Sequence, residues 1–271
     1  MIIGYRVRRR ELTEPLLEQL VRSGFRHLEW DWKWDGNSKS PVPSTKELMY
    51  AKDICSQYGL TISIAGPNGL SIAEKVMPLR QVSLQLWKEL YQASEYLKAK
   101  WLVMELGSAG FKSGNSSKKR DRVGIAKGVI GEIVQAVDDG PLLLLENQRR
   151  LPEASQKCYL GDDANDLLYC LEALPEDRSG VIFDTGHALI EQVPEHTLRV
   201  LCSSIKAFHL HCNDGVTDNH HSLTQVDIDA NKSYWESVID MIHTGVPAVL
   251  EIEPLSEALL TKRLIDEYRS E

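Results

Sequence analysis

The feature that most constrains this chain is a repeat in which a short apolar run is followed by a longer stretch with helical spacing, eight times over. The runs at Ile2–Val7, Phe25–Trp30, Leu60–Ala65, Trp101–Leu106, Leu142–Asn147, Gly180–Asp184, Ile205–His211 and Ala248–Glu253 have the length and apolar content of buried strands. Helical patterns fall between them. Glu14–Ser23 closes at Gly24, and Ser44–Tyr58 has Ser44 or Thr45 as its cap. A helix from Ser83 to about Lys98 puts Leu86, Leu90, Ala93 and Leu97 on one face. A polar loop, Gly107–Asp121, leads into a helix ending near Asp139 and Gly140. Helices over Asp163–Leu174, Pro194–Cys202 and Asn231–His243 follow, and Ser256 is expected to cap the last one. Strands apolar on both faces, each followed by a helix, predict a parallel sheet covered by helices, and eight strands close a (β/α)8 barrel. No linker composition interrupts the pattern, so a single domain is expected over 1–271.

Composition narrows the class of partner. The net charge of -8 gives no global attraction to phosphate backbones, which disfavours nucleic acid as a partner. The five cysteines (Cys55, Cys158, Cys170, Cys202, Cys212) are odd in number and scattered, so reduced thiols and a cytoplasmic setting are expected. The opening residues, MIIGYRVRRR, reverse the order of a secretory signal, and no apolar stretch reaches membrane-spanning length, so no membrane partner is expected.

Chemistry concentrates in Phe208–His221, FHLHCNDGVTDNHH, which holds four of the eight histidines and two aspartates. His209 and His211 alternate along a strand and therefore point to the same side of it. Imidazole and carboxylate are ligands of Zn²⁺, Mn²⁺ and related ions. Other strand ends carry matching groups: Glu146 and Asn147 after LLLL, Asp184 with His187 three residues on, and Glu251 with Glu253 on the last strand. Such groups are costly if buried unpaired, so a common partner is expected, and a divalent cation (Mn²⁺, Zn²⁺, Co²⁺ or Mg²⁺) would satisfy all of them.

The ordered set LENQ, FDTGHA, HLHCNDG with DNHHSL, and LEIEP resembles the xylose-isomerase-like barrel superfamily of sugar isomerases, epimerases and apurinic endonucleases, over nearly the whole chain. The resemblance implies Glu146, Asp184, His211 and Glu251 as metal ligands, with Glu253 the spare for the last position. It implies His187 as a ligand of substrate or of another metal. In the endonuclease branch His187, Asp218 and His220 would hold an additional zinc. That branch also has histidines at the ends of strands three and four, where this chain has Ala65 or Gly66 and Glu105, so a trinuclear cluster is incomplete while the single-metal quartet is intact.

The expected activity is therefore a metal-dependent sugar isomerase or epimerase working through an enediolate. Glu146 and Glu251 would exchange the proton, and the substrate would be a sugar or sugar phosphate. An endonuclease-like phosphodiesterase, a dehydratase or other lyase, and a silent sugar-binding barrel are the alternatives, and a homo-oligomer is allowed. Glu105, Asn147 and His209 are candidate substrate contacts, as is Trp30, which with Trp32 and Trp34 would offer aromatic faces to a sugar. The segment Lys112–Arg122 and the pair Arg149 and Arg150 read as solvated loops, with phosphate binding as the other reading. His27, His196 and His243 read as structural.

Overall fold

The computed structural model describes residues 1–32, 40–110, 116–152 and 154–268. Eight parallel strands close into a barrel: β1 Ile3–Arg8, β2 His27–Asp31, β3 Thr61–Ala65, β4 Trp101–Met104, β5 Leu142–Glu146, β6 Ser179–Asp184, β7 Ile205–Leu210 and β8 Ala248–Leu250. They neighbour one another in chain order, and β8 returns to pair with β1. Ten helices are described: α1 Glu14–Arg22, α2 Thr45–Gln57, α3 Met77–Tyr96, α4 Ser116–Val134, α5 Ala164–Leu171, α6 Thr185–Ile190, α7 Pro194–Leu201, α8 Gln225–Ala230, α9 Lys232–His243 and α10 Leu255–Glu267.

Strand pleating creates two cores. Outward residues such as Leu28, Trp30, Ile64, Leu102, Leu145, Phe183, Phe208 and Leu250 join the helices in one large apolar layer. Inward residues Trp101, Val103, Leu144, Ile182, Ala207 and Val249 fill the barrel interior. On β5 to β8 the inward stripe is apolar at the lower end and polar at the C-terminal end, which sets a ring of charged groups on an apolar floor.

Local chemistry explains most boundaries. Ser44 caps α2 and forms a capping box with Glu47. Helix α3 begins at Met77, earlier than the expected Ser83, because Pro78 fits the first turn of a helix, where no N–H is needed. Helix α4 begins at Ser116, so the KKRDR segment is its first turns and not loop; Lys119 lies between Asp162 and Asp166 there. Ser256 lies inside α10, whose N-cap is Pro254, so it does not cap that helix.

Candidate active site

Each strand delivers its group by parity. Glu146, Asp184, His209 and Glu251 lie on the inward stripe at or just beyond the strand ends, and all are buried. His211 is fully buried, with Nε2 at 3.2 and 3.3 Å from the two oxygens of Asp184. Asp184 also caps α6, accepting from the N–H of His187 at 2.7 Å. Gly186 is what lets α6 pass so close: a Cβ there would collide with Cε1 of His211. The groups gather as overlapping sets whose ligand atoms lie within 4.8 Å of one another: Glu146, Asp184 and His209; Asp184, His211 and Glu251; Glu29, His209 and Glu251.

His209 is the hub of the lower set. Its Nε2 lies 2.7 Å from Glu29, and its Nδ1 lies 3.0 Å from Glu146 and 3.3 Å from Glu251. Burial opposes protonation of this ring, but Glu251, Glu29 and Glu146 together raise its pKa well above the ordinary range. Burial likewise opposes the Glu251 carboxylate, and Arg6, His209 and His220 more than offset it, holding the pKa down at about 2. Arg6 reaches Glu251 at 2.6 Å and Asp31 at 2.7 Å. Asp184 is held well below the usual carboxylate range, burial being outweighed by His187 and His211.

A second group of ligand-type side chains stands beside the first. The loop after β7 is closed by paired backbone hydrogen bonds between Cys212 and His221, which folds Asp218 and His220 back over the mouth. The His220 ring stacks on His211 with centroids 3.8 Å apart, and its Nδ1 lies 2.7 Å from the carbonyl of Glu251. His211, Asp218 and His220 form another set with ligand atoms within 4.8 Å. Asp218 and His220, with Glu146, Asp184, His209 and Glu251, edge a cavity of about 360 Å³ that is also lined by Glu105, Arg149 and Lys157, and His211 lies buried behind it.

The structure brings Glu146, Asp184, His187, His209, His211, Asp218, His220 and Glu251 to one mouth and separates other expected residues from it. Glu253 is half exposed and pairs with Arg8, so the strand-eight carboxylate in the cluster is Glu251. Trp30 faces outward, buried against Trp32, and offers no sugar platform; the pleat turns Glu29 and Asp31 inward instead. Trp34 and residues 112–115 lie outside the described residues. Asn147 uses both ends of its side chain on the backbone of Asp184, at 3.0 and 2.7 Å, so it braces that residue, and it is not among the residues that line the cavity. His209 borders the cavity, but its two nitrogens are engaged by carboxylates. His27 is structural, bound between Thr61 and Ser63 at 2.8 Å each.

Sequence reasoning passed over Glu29 and Arg6, and read Arg149 as loop or phosphate contact where the structure sets it on Asp218. The first had a signal: His27, Glu29 and Asp31 alternate with Leu28, Trp30 and Trp32 along one strand.

The donor set fits a divalent cation. Five carboxylates (Glu29, Glu146, Asp184, Asp218, Glu251) gather around two guanidinium groups, Arg6 and Arg149, and the His209 ring, and the Asp218 Oδ1 atom is buried with no hydrogen-bond partner. Oxygen and imidazole nitrogen in one cluster suit Mn²⁺, Mg²⁺, Co²⁺ or Zn²⁺.

A family profile described as xylose isomerase-like TIM barrel matches residues 17–268, and the chain belongs to that family. Among solved structures it is similar to a D-tagatose 3-epimerase-like protein, at 20% identity and a TM-score of 0.79, over 99% of this chain and 97% of the other. It is similar to a protein from Thermus thermophilus whose crystal was soaked with ZnCl2, at 18% identity and a TM-score of 0.74 over 100% of both chains. It is also similar to endonuclease IV from the same organism, at 16% identity and a TM-score of 0.69, over 99% of this chain and 100% of the other. At these identities the likeness concerns the fold. No curated protein matches the chain, and among the described residues no helix is long and apolar enough to cross a membrane.

Proposed function

We propose that the chain is a divalent-metal-dependent sugar isomerase or epimerase that moves a proton on the carbon beside the substrate carbonyl. The observation that carries this reading is the pairing of Glu146 and Glu251. Both carboxylates reach Nδ1 of His209, at 3.0 and 3.3 Å, from strands separated by β6 and β7, so they flank the cavity floor from two sides. Two bases on either side of one carbon are what removal and return of a proton require.

Asp184 and His211, with the two glutamates, would hold the ion. When bound, it would polarise the carbonyl and stabilise the negative charge that develops on proton removal. His187 is fixed through Nδ1, which donates to the carbonyl of Asn147 at 2.8 Å, and it lines the cavity, where its Nε2 would meet a substrate hydroxyl. Arg6 keeps Glu251 ionised and aimed. The apolar floor of Val103, Leu144 and Ile182 limits water beneath the reacting carbon.

The resemblance to the epimerase-like neighbour supports this reading. A nuclease-like reading is favoured only by His187, Asp218 and His220. The further histidines of that branch are absent: Ala65 or Gly66 and Glu105 stand at those positions, and at Gly66 a Cβ would collide with the Trp87 ring.

The test is solvent deuterium uptake into a panel of ketoses and their phosphates with Mn²⁺ added. Wild-type protein is expected to label the carbon beside the carbonyl, and Glu146→Gln and Glu251→Gln are each expected to lower exchange by about 10²- to 10⁴-fold. Full exchange in both variants would overturn the assignment.

A further inference from the structure

Beside the main cluster, His211, Asp218 and His220 bring ligand-type atoms within 4.8 Å of one another, His187 stands next to them, and a side chain of the chain's own competes for the same carboxylate. His187 is held through Nδ1, which donates to the carbonyl of Asn147, and its Nε2 lies 3.5 Å from Asp218 Oδ2. His220 donates through Nδ1 to the carbonyl of Glu251, so the lone pair of its Nε2 lies 3.8 Å from Asp218 Oδ1. That oxygen is itself buried and without a hydrogen-bond partner. A carboxylate with one oxygen buried and unpartnered calls for a positive charge beside it.

Arg149 supplies such a charge. Three residues beyond Glu146, it leaves the rim of β5 and sets Nη1 on Asp218 Oδ2. Its side chain is 29% exposed, and its guanidinium lies 5.7 Å from the centre of the Tyr159 ring, which belongs to the short antiparallel pair of Ser108–Ala109 with Cys158–Tyr159 on the cavity wall. A guanidinium does not lose its proton in a protein and cannot act as a ligand, so Arg149 and a second metal ion would contend for the same carboxylate oxygen.

We propose that Arg149 is a tethered cation that takes the place of a second metal ion, so that the chain binds one ion and gives the substrate a fixed guanidinium on the cavity wall beside it. The inference rests on the metal-dependent reading above and deepens it. It assigns the positive side of the substrate pocket to a side chain whose remaining N–H donors suit a hydroxyl, carboxylate or phosphate oxygen.

The test counts zinc. Wild-type protein, Arg149→Ala, Arg149→Met (which keeps an apolar stem beside Tyr159), Arg149→Lys and the double variant Arg149→Ala/Asp218→Asn are each equilibrated with Zn²⁺, freed of excess, and assayed for metal per folded chain. About one zinc is expected in the wild type and in Arg149→Lys, about two in Arg149→Ala and Arg149→Met, and about one again in the double variant. Two zincs in the wild type, or one in both the alanine and methionine variants, would overturn the role of Arg149. No zinc in the wild type would instead bring down the metal-dependent reading on which it stands.

Discussion

Glu29 is fully buried at the centre of the barrel, and its neighbours set what replacing it would cost. Its carboxylate meets Nε2 of His209 at 2.7 Å, the indole N–H of Trp101 at 2.9 Å and the hydroxyl of Ser63 at 3.2 Å. Burial works against the charge, and His209 overcomes it and lowers the pKa. Glu29→Gln keeps the shape and removes the anion from a charge-assisted hydrogen bond, so a loss of about 2 kcal/mol is expected. In a chain of this size that is a fall in Tm of roughly 6 °C, and an unchanged Tm would show that the contact with His209 carries little. His27, linked to Glu29 through Ser63, gives a pH dependence. Burial pushes its pKa down from 6.5 to about 4, so the folded protein prefers the neutral ring. The unfolded chain binds that proton more readily, and stability therefore falls as pH drops from 6.5 toward 4, by about 3 kcal/mol when complete. Urea unfolding of the wild type and His27→Gln across that window should show the wild type's advantage shrinking as the medium is acidified. An advantage independent of pH would contradict a neutral buried ring.

At the scale of elements, α6 joins fold to site, because the helix that Asp184 caps also carries Gly186 over His211. Gly186→Ala forces a methyl into the imidazole and is expected to weaken zinc binding at least tenfold, about 1.4 kcal/mol. Gly124→Ala in α4 meets nothing within 4 Å and is expected to stabilise by about 0.5–1 kcal/mol while leaving zinc affinity alone. Calorimetric titration of both variants separates a steric effect at the site from a general effect of adding a methyl. The strands were readable because β4 to β8 are largely apolar runs that end in or run straight into an ionisable residue (Glu105, Glu146, Asp184, His211 and Glu251), a pattern that survives without any partner in view. Helices α6 and α8, six residues each, were not, since neither is long enough to show helical periodicity. Glu146, Asp184, His211 and Glu251 were legible as strand-end chemistry. Arg149 was not, because its meaning depends on Asp218, which the hydrogen bonds between Cys212 and His221 bring back to it across the mouth.

The whole molecule decides how strongly an ion and the fold support each other. The proposed ligands Glu146, Asp184, His211 and Glu251 come from four consecutive barrel strands, which closure brings to one mouth; an unfolded chain scatters them over more than a hundred residues. An ion that binds the closed barrel and not the unfolded chain must therefore stabilise the barrel. With free ion at a hundredfold excess over Kd the gain is about 2.7 kcal/mol, and Tm should rise by roughly 8 °C over protein treated with a chelator. The same ion should relieve repulsion among the buried carboxylates, so Asp184→Asn, which deletes the charge shared by two of the ligand sets, should lose the metal-dependent part of Tm. Its metal-free form should remain folded, because Asn147 still braces residue 184 through the backbone. Thermal unfolding with Mn²⁺, with Zn²⁺ and with chelator gives the comparison. A wild-type Tm that neither ion moves would mean that these acids meet for a structural reason, balanced by Arg6, His209 and His211 alone.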